Sequence, residues 1–409
     1  MSKIQSQKLT ETFKDFFGNE RSGAVVLVVC TVLSLIVANS QFSSSYLHFW
    51  HSHVGPLSVE QWVNDGLMAI FFLLIGLELE RELYVGELSN LRNALLPVVA
   101  ALGGVAVPAL IHLAFNAGTP TQAGIGIPMA TDIAFAVGAL ALLGDRVPAS
   151  LKVFLVALAV IDDLCAIVVI AMFYTASLSL IYLGLAFAVL TVLVVLNRLR
   201  VMSLVPYLAG GAAVWYFMLM SGVHATIAGV LTAFTIPFSR DSEDKTAPSY
   251  RLENFLHMPV AFLILPIFAL ANTGIVIGMG WAGELSTRNS LGIIAGLVAG
   301  KPIGITLASF AAVALGICRL PLDLNWKHVF GAGLLGGIGF TMSIFITNLA
   351  FAGEAVTINA SKMAILLASL TAGTIGFLWL RLLGAPEAND EDLDTMDFSD
   401  DDGSADLNR

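Results

Sequence analysis

The chain has 409 residues, of which 57% are hydrophobic and only 12% are charged. A soluble protein of this size needs a larger charged fraction on its surface, so the composition excludes an ordinary soluble globular protein. The formal net charge of −10 belongs to one segment, because ten of the 30 acidic residues lie within 387–406 and the rest of the chain has 20 acids against 20 bases.

Long apolar runs recur along the chain, each close to the roughly 20 residues with which a helix crosses the bilayer core. Only helices and closed barrels satisfy their backbone in lipid, and these runs lack the alternating pattern of barrel strands. The predicted fold class is therefore an all-α integral membrane protein with twelve transmembrane helices. The approximate spans are 23–39, 62–80, 93–115, 123–143, 153–173, 180–197, 204–220, 223–237, 258–277, 291–314, 328–350 and 361–381.

Lysine and arginine are distributed unequally between the loops on the two sides of these spans. The side of the N-terminus holds 17 of the 20 basic residues, the opposite side holds two, and Lys301 lies inside a span. This positive-inside bias predicts that both termini are cytoplasmic. The long loop 40–61 is then external, and the residues around Gly55 and Pro56 predict a short hairpin in it.

Two of the predicted spans carry residues that interrupt helices. Span four has two glycines and a proline within 124–128, just before Thr131 and Asp132, and span eleven has five glycines within 331–339. Such residues permit unwound backbone at mid-membrane where it lines a cavity, and paired breaks in two halves indicate inverted repeats. Close helix packing explains some of the glycines equally well. Asp132 could offset exposed helix N-termini, and Lys301 could offset exposed C-termini.

Four ionisable residues lie near the middle of apolar spans: Asp132 in span four, Asp162 and Asp163 in span five, and Lys301 in span ten. Inserting each charged residue at the centre of the bilayer costs about 2.5–3.5 kcal/mol, so their presence requires a structural or functional explanation. Buried ion pairs that fix helix register are one reading, but one lysine leaves two carboxylates unpaired. The other reading is an ion pathway, because Na⁺ and Li⁺ prefer carboxylate, carbonyl and water oxygens. Protons compete with the cation for the same carboxylates in a medium of low dielectric. If the site opens alternately to the two sides of the membrane, this competition produces antiport.

The segments that carry these residues resemble the NhaA-type sodium/proton antiporters, an established example of inverted-topology repeats. The resemblance implies two crossed broken helices, spans four and eleven, beside the aspartate pair. We expect exchange of Na⁺ or Li⁺ for H⁺ in a bacterial inner membrane, with no organic cofactor and no nucleic-acid partner. The exchange is expected to be electrogenic, because two carboxylates and one coupled lysine let more protons than cations cross in each cycle. The matching segments are FFLLIGLELERE (71–82), PMATDIAFAVGALALLG (128–144), ALAVIDDLCAI (157–167), SGVHATIAG (221–229), LPIFALANTG (265–274), GKPIGI (300–305) and GIGFTMSIFI (337–346).

The same resemblance implies roles for the buried residues. Asp162 and Asp163 are expected to bind the transported cation and the protons, and Thr131 is expected to add an oxygen near the site. Asp132 and Lys301 are expected to compensate the dipoles of the broken helices, with Lys301 as the partner of Asp162.

Regulation and assembly also follow from the resemblance. Family members respond to cytoplasmic pH through a cluster that maps onto Glu78, Arg81, Glu82 and Glu253, with His224 also implicated. His224 is explained equally well as a hydrogen-bonded packing residue. Members form homodimers through the external hairpin, here within 43–60.

Two positions depart from the family pattern. Position 80 is Glu where a basic residue is common, and position 250 is Tyr in a region that is often basic. Both change the charge at the cytoplasmic entrance, so the pH set point does not carry over from relatives.

The predicted organisation is an antiporter domain over 1–386 and a disordered acidic cytoplasmic tail over 387–409.

Rival functions are a sodium-coupled symporter of an organic anion, a channel and an intramembrane aspartyl protease. Buried carboxylates repel anions, which disfavours the first. The chain shows no repeated filter segment and no GxGD signature, which disfavours the other two.

Overall fold

The computed structural model describes residues 22–174, 178–240, 244 and 246–383. The acidic tail predicted over 387–409 lies outside these residues. Within them the chain is mostly helical, with short connecting segments and one two-stranded sheet. We number the helices and strands in chain order.

The external loop predicted over 40–61 contains both a helix and a hairpin. Helix α1 (Ser22–Ala38) meets α2 (Ser43–His51) at an angle of 115°. Strands β1 (His53–Val54) and β2 (Leu57–Ser58) pair antiparallel around Gly55, whose φ of 68° favours glycine. The hairpin prediction is therefore confirmed, and α2 was not predicted.

Helix α2 forms because its aromatic residues contact distant parts of the chain. The Tyr46 hydroxyl lies 2.6 Å from the Leu270 carbonyl oxygen and 2.9 Å from the Ser34 hydroxyl, and Trp50 is buried. These contacts come from residues more than 200 positions away as well as from α1, so local sequence did not reveal them.

The first group of helices follows the hairpin. The helices are α3 (Val59–Tyr84), α4 (Leu91–Asn116), α5 (Ile133–Leu143), α6 (Ala149–Phe173), α7 (Leu180–Arg198), α8 (Val205–Ser221) and α9 (Ile227–Ala233). A 3₁₀ helix (Pro120–Met129) precedes α5 in the predicted span four.

The second group completes the bundle. The helices are α10 (Pro248–Asn272), α11 (Trp281–Leu285), α12 (Arg288–Ala314), α13 (Trp326–Gly336), α14 (Phe340–Ala350) and α15 (Ala355–Leu383). Helices α13 and α14 together form the predicted span eleven.

In the described part of the chain, eight helices are long and apolar enough to cross a membrane, and ten do so if each of two bent pairs counts as one span. The all-α membrane class is therefore confirmed, while the count of twelve stays a prediction. The eighth predicted span, 223–237, is helical only as α9, because Gly222 turns the chain with a φ of 83° and His224 lies in the turn that follows. Helix α10 begins ten residues before the apolar run 258–277, with Pro248 in its first turn.

Two long helices widen into a π turn directly before a proline. The N–H of Leu265 donates to the Val260 carbonyl just before Pro266, and the N–H of Lys301 donates to the Gly296 carbonyl just before Pro302. Proline lacks an N–H and its ring clashes with the carbonyl four residues earlier, which favours this widening. Lys301 directly follows the π turn in α12.

The two predicted broken spans are broken, and the breaks lie against each other. Residues 130–132 are extended between the 3₁₀ helix and α5, and α13 meets α14 at 48° across residues 337–339. The Asp132 N–H donates to the Ile338 carbonyl at 2.6 Å. The Ser343 hydroxyl donates to the Ile127 carbonyl at 2.7 Å. Backbone freed at each break is thus satisfied partly by the other, as burial in lipid requires.

Candidate functional site

Asp162 and Lys301 form a buried ion pair beside the crossing of the broken spans. Asp162 is 1% exposed on α6 and Lys301 is fully buried on α12, and the Lys301 Nζ contacts the Asp162 Oδ2. The Thr131 hydroxyl lies 2.6 Å from the same Asp162 oxygen and 2.8 Å from the Gly336 carbonyl oxygen at the end of α13. The expected pairing of Asp162 with Lys301 is present in the structure.

Asp163 is equally buried but lacks such partners. It is 1% exposed, and among the described residues neither of its carboxylate oxygens accepts a hydrogen bond. The Asp162 Oδ1 is also unpaired in this part of the chain. A buried polar group normally has a partner, and an isolated buried charge is very costly. Three carboxylate oxygens on one turn of α6 are therefore available to a proton or a cation.

Asp132 lies at the N-termini of two half-helices at once. Its Oδ1 accepts from the Phe135 N–H at 3.1 Å, which caps α5. Its Oδ2 accepts from the Thr341 N–H at 3.0 Å and from the Thr341 hydroxyl at 2.5 Å, in the first turn of α14. A negative charge here satisfies unpaired N–H groups and opposes the positive end of both helix dipoles.

A cavity of about 580 Å³ lies away from these charges, between α3, α8 and α9. Trp62, Leu73, Trp215 and Thr232 are among its lining residues, and its surface is almost entirely apolar. None of the buried aspartates belongs to that lining. This cavity therefore lacks the oxygens that a small hard cation needs.

A second group of charges lies at the end of α3 opposite to the hairpin, against the start of α10. Arg81 and Glu253 are joined by an ion pair with a nitrogen–oxygen distance of 2.8 Å, and Arg81 is 3.5 Å from Glu82. Glu78 is 3.3 Å from the His257 Nε2. The cluster residues predicted from the sequence, Glu78, Arg81, Glu82 and Glu253, are therefore neighbours.

Glu80 belongs to the same end of α3. It is 6% exposed, and its Oε2 has no hydrogen-bond partner in the described ranges. The Glu80 and Glu253 carboxylates are close enough to repel each other. The position at which the sequence departs from the family pattern thus lies inside this charged cluster.

His224 is placed elsewhere. It lies in the turn between α8 and α9, and its Nε2 is 2.6 Å from the Tyr174 carbonyl oxygen. This hydrogen bond agrees with the packing interpretation of His224, and a role in sensing pH stays a prediction.

Sequence reasoning missed two residues of these clusters. His257 lies four positions after Glu253 on α10, a spacing that places both on one helix face and could have indicated it. No local spacing indicated that Thr341 binds Asp132, because the two residues are 209 positions apart.

Comparison with known proteins gives the family of the chain. The profile of the family described as Na⁺/H⁺ antiporter 1 matches residues 14–380. The chain belongs to the Na⁺/H⁺ antiporter 1 family. It is 69% identical over 374 residues to the Na⁺/H⁺ antiporter NhaA of Dechloromonas aromatica, covering 91% of this chain and 96% of that relative. It is 59% identical over 384 residues to the NhaA of Cytophaga hutchinsonii, covering 94% and 98%.

Membership of the Na⁺/H⁺ antiporter 1 family confirms the resemblance seen in the sequence. A third relative, Na⁺/H⁺ antiporter NhaA 1 of Flavobacterium johnsoniae, is 58% identical over 376 residues, covering 92% of this chain and 98% of the relative. Together with the membrane-length helices, these bacterial relatives identify a multi-pass bacterial membrane protein.

Proposed function

We propose that this chain is an electrogenic antiporter that exchanges Na⁺ or Li⁺ for protons at Asp162 and Asp163. The observation that carries the proposal is the Asp163 carboxylate, which is 1% exposed and has no hydrogen-bond partner among the described residues. Such a group is stable in a membrane only when it binds a proton or a cation. The names of the relatives support sodium as the cation.

The chemistry of the exchange follows from the ligands. Carboxylate oxygens bind small hard cations, and they also bind protons, so either species neutralises Asp163. Because the two occupants exclude each other, binding of one releases the other. Alternating exposure of this site to the two sides of the membrane then couples their movements in opposite directions.

Asp162 supplies the second carboxylate. In the structure its Oδ2 is held by Lys301 and by Thr131, so only the Asp162 Oδ1 is unpaired among the described residues. A cation between Asp162 and Asp163 competes with the Lys301 ammonium, which then loses its counter-charge. We infer that Lys301 or Asp162 exchanges a second proton during the cycle, so that two protons cross for each cation.

Asp132 supports the cycle without binding the cation. Its two oxygens are occupied by the N-termini of α5 and α14, which keeps the crossing of the broken spans together. The crossed breaks also support an inverted-repeat architecture of twelve spans. We therefore assign Asp132 to charge compensation.

The charged cluster of Glu78, Arg81, Glu82 and Glu253 is proposed to regulate exchange by cytoplasmic pH. Its ion pairs join α3 to α10, so a change in carboxylate protonation alters the contact between these helices. The cytoplasmic location of this cluster and of both termini rests on the distribution of basic residues. The hairpin within 43–60 is then external and is proposed to join two copies of the chain.

The proposal is tested in everted membrane vesicles that carry a pH gradient. Addition of Na⁺ or Li⁺ is expected to collapse the gradient, and the variant Asp163→Asn is expected to abolish the response at normal expression. Asp244→Asn is the matched control, because Asp244 is in a loop and its hydrogen bonds in the described ranges join it to nearby residues such as Thr246. Na⁺/H⁺ exchange by the Asp163→Asn variant would show that the cation binds elsewhere.

The stoichiometry is tested in reconstituted vesicles by imposing a potassium diffusion potential. An electrogenic exchanger is expected to accelerate when the potential favours the net charge movement and to slow when the potential is reversed. A rate that is independent of the potential would reduce the mechanism to one proton per cation.

A further inference from the structure

Tyr174 joins three elements at the hairpin end of the bundle. It directly follows α6, the helix that carries Asp162 and Asp163. Its hydroxyl donates to the Ala123 carbonyl at 2.8 Å and accepts from the Gly126 N–H at 3.2 Å. Its own carbonyl oxygen is 2.6 Å from the His224 Nε2 in the turn between α8 and α9.

The two groups bound by the hydroxyl belong to the 3₁₀ helix, which is the hairpin-side half of broken span four. Backbone groups at membrane depth need partners, and Tyr174 supplies one donor and one acceptor for them. A side chain at Gly126 would obstruct this contact, because a Cβ there would lie 2.7 Å from the Tyr174 hydroxyl. Glycine at 126 and tyrosine at 174 therefore form one complementary contact.

The opposite side of the 3₁₀ helix is held by α14. The Ser343 hydroxyl donates to the Ile127 carbonyl at 2.7 Å. The hairpin-side half of span four is thus bound between the end of α6 and the other broken span. If this half moved away from α6, the path from the hairpin side toward Asp163 would widen.

We propose that Tyr174 is a positioning residue that latches the hairpin-side gate of the ion path. Its hydroxyl holds the 3₁₀ helix against α6, and breaking its two hydrogen bonds is required before the aspartates are exposed on the hairpin side. This inference rests on the proposed antiport function and deepens it, because it assigns one gate of the alternating-access cycle. Tyr174 acts on access and does not bind the cation.

The first test measures the separation of the 3₁₀ helix from α6 without transport. A reporter cysteine replaces Val169, whose Cγ1 lies 3.3 Å from the Cβ position of Gly126, in a chain with Cys30, Cys165 and Cys318 replaced by serine. A membrane-impermeant maleimide is applied from the hairpin side. Tyr174→Phe is expected to raise the rate at which this reagent labels the reporter cysteine several-fold. Tyr182→Phe is the matched control, since Tyr182 is exposed on α7. Equal labelling in Tyr174→Phe and Tyr182→Phe would overturn the latch.

The second test uses exchange kinetics. Loss of the two Tyr174 hydrogen bonds favours the conformation that is open to the hairpin side. The conformation that binds Na⁺ from the opposite side of the membrane is then less populated. Tyr174→Phe is expected to raise the KM for that Na⁺ several-fold, with the maximal rate changed less than twofold. A purely structural role would lower the melting temperature and leave the KM and the labelling rate unchanged, which would contradict the proposal.

Gly126→Ala provides an independent route to the same state, because the added methyl displaces the hydroxyl. The double variant is expected to have the KM of the more impaired single variant, since both break one contact. Additive effects would show that Tyr174 and Gly126 act separately and would overturn the latch.

If the chain with native Tyr174 shows no exchange, the antiport function fails, while the labelling experiment still tests the latch.

Discussion

The Asp132 Oδ2 accepts two hydrogen bonds from Thr341, one from its N–H at 3.0 Å and one from its hydroxyl at 2.5 Å. The residues are 209 positions apart, and each lies at the start of a half-helix. One carboxylate therefore stabilises both breaks, and the crossing geometry depends on this contact.

Thr341→Val removes the hydroxyl donor and keeps the side-chain shape. We expect the free energy of unfolding to fall by about 1–3 kcal/mol, because a buried carboxylate oxygen loses a partner, and we expect exchange to slow without being lost. Thermal unfolding in detergent and vesicle exchange measure the two effects. Thr371→Val is the control, since that hydroxyl donates to the Leu367 carbonyl of its own helix. Equal stability of the two variants would contradict a joint capping role.

Lys301→Ala leaves the Asp162 carboxylate buried without its counter-charge. A buried carboxylate in that situation binds a proton, and a higher pH is needed to remove it. Exchange is therefore expected to decrease more at neutral pH than at alkaline pH. The measurement is the rate of Na⁺-driven proton movement across several pH units. Lys362→Ala is the matched control, because Lys362 is also buried but lies on α15 near the hairpin end. The same pH dependence of exchange in both variants would argue against a role for the pairing of Lys301 with Asp162.

Glu80→Lys places an ammonium beside Glu253 in the charged cluster. The added positive charge favours ionised carboxylates, so the pH at which they lose their protons falls. If their ionisation controls exchange, the activity profile moves toward lower pH by about one unit. The control Glu354→Lys adds the same charge at an exposed position outside the cluster. An unchanged profile in Glu80→Lys would show that position 80 does not take part in regulation.

Deletion of residues 387–409 removes the ten acids that account for the net charge. This segment has no apolar run with which to anchor in the bundle, so exchange is expected to stay within twofold of the full chain. Exchange assays on equal amounts of inserted protein check this. Loss of exchange in a normally inserted truncation would assign the tail a direct role.

The sequence by itself determined the helical membrane class, the two broken spans and the identity of the buried charges. These features are visible locally, because a charge, a proline or a group of glycines inside an apolar run is costly in lipid wherever it occurs. The resemblance to known antiporters, now confirmed as family membership, relied on the same segments.

Only the tertiary structure decided the partners that the resemblance did not imply. It joined Thr341 to Asp132 across 209 residues and left the Asp163 oxygens without a bond in the described part of the chain. It also brought Tyr174 to the 3₁₀ helix. Such contacts depend on how helices far apart in sequence cross one another, and the periodicity of an apolar helix carries little information about its neighbours. The candidate binding residues could therefore be named from the sequence, whereas the hydrogen-bond partners of each carboxylate oxygen could not.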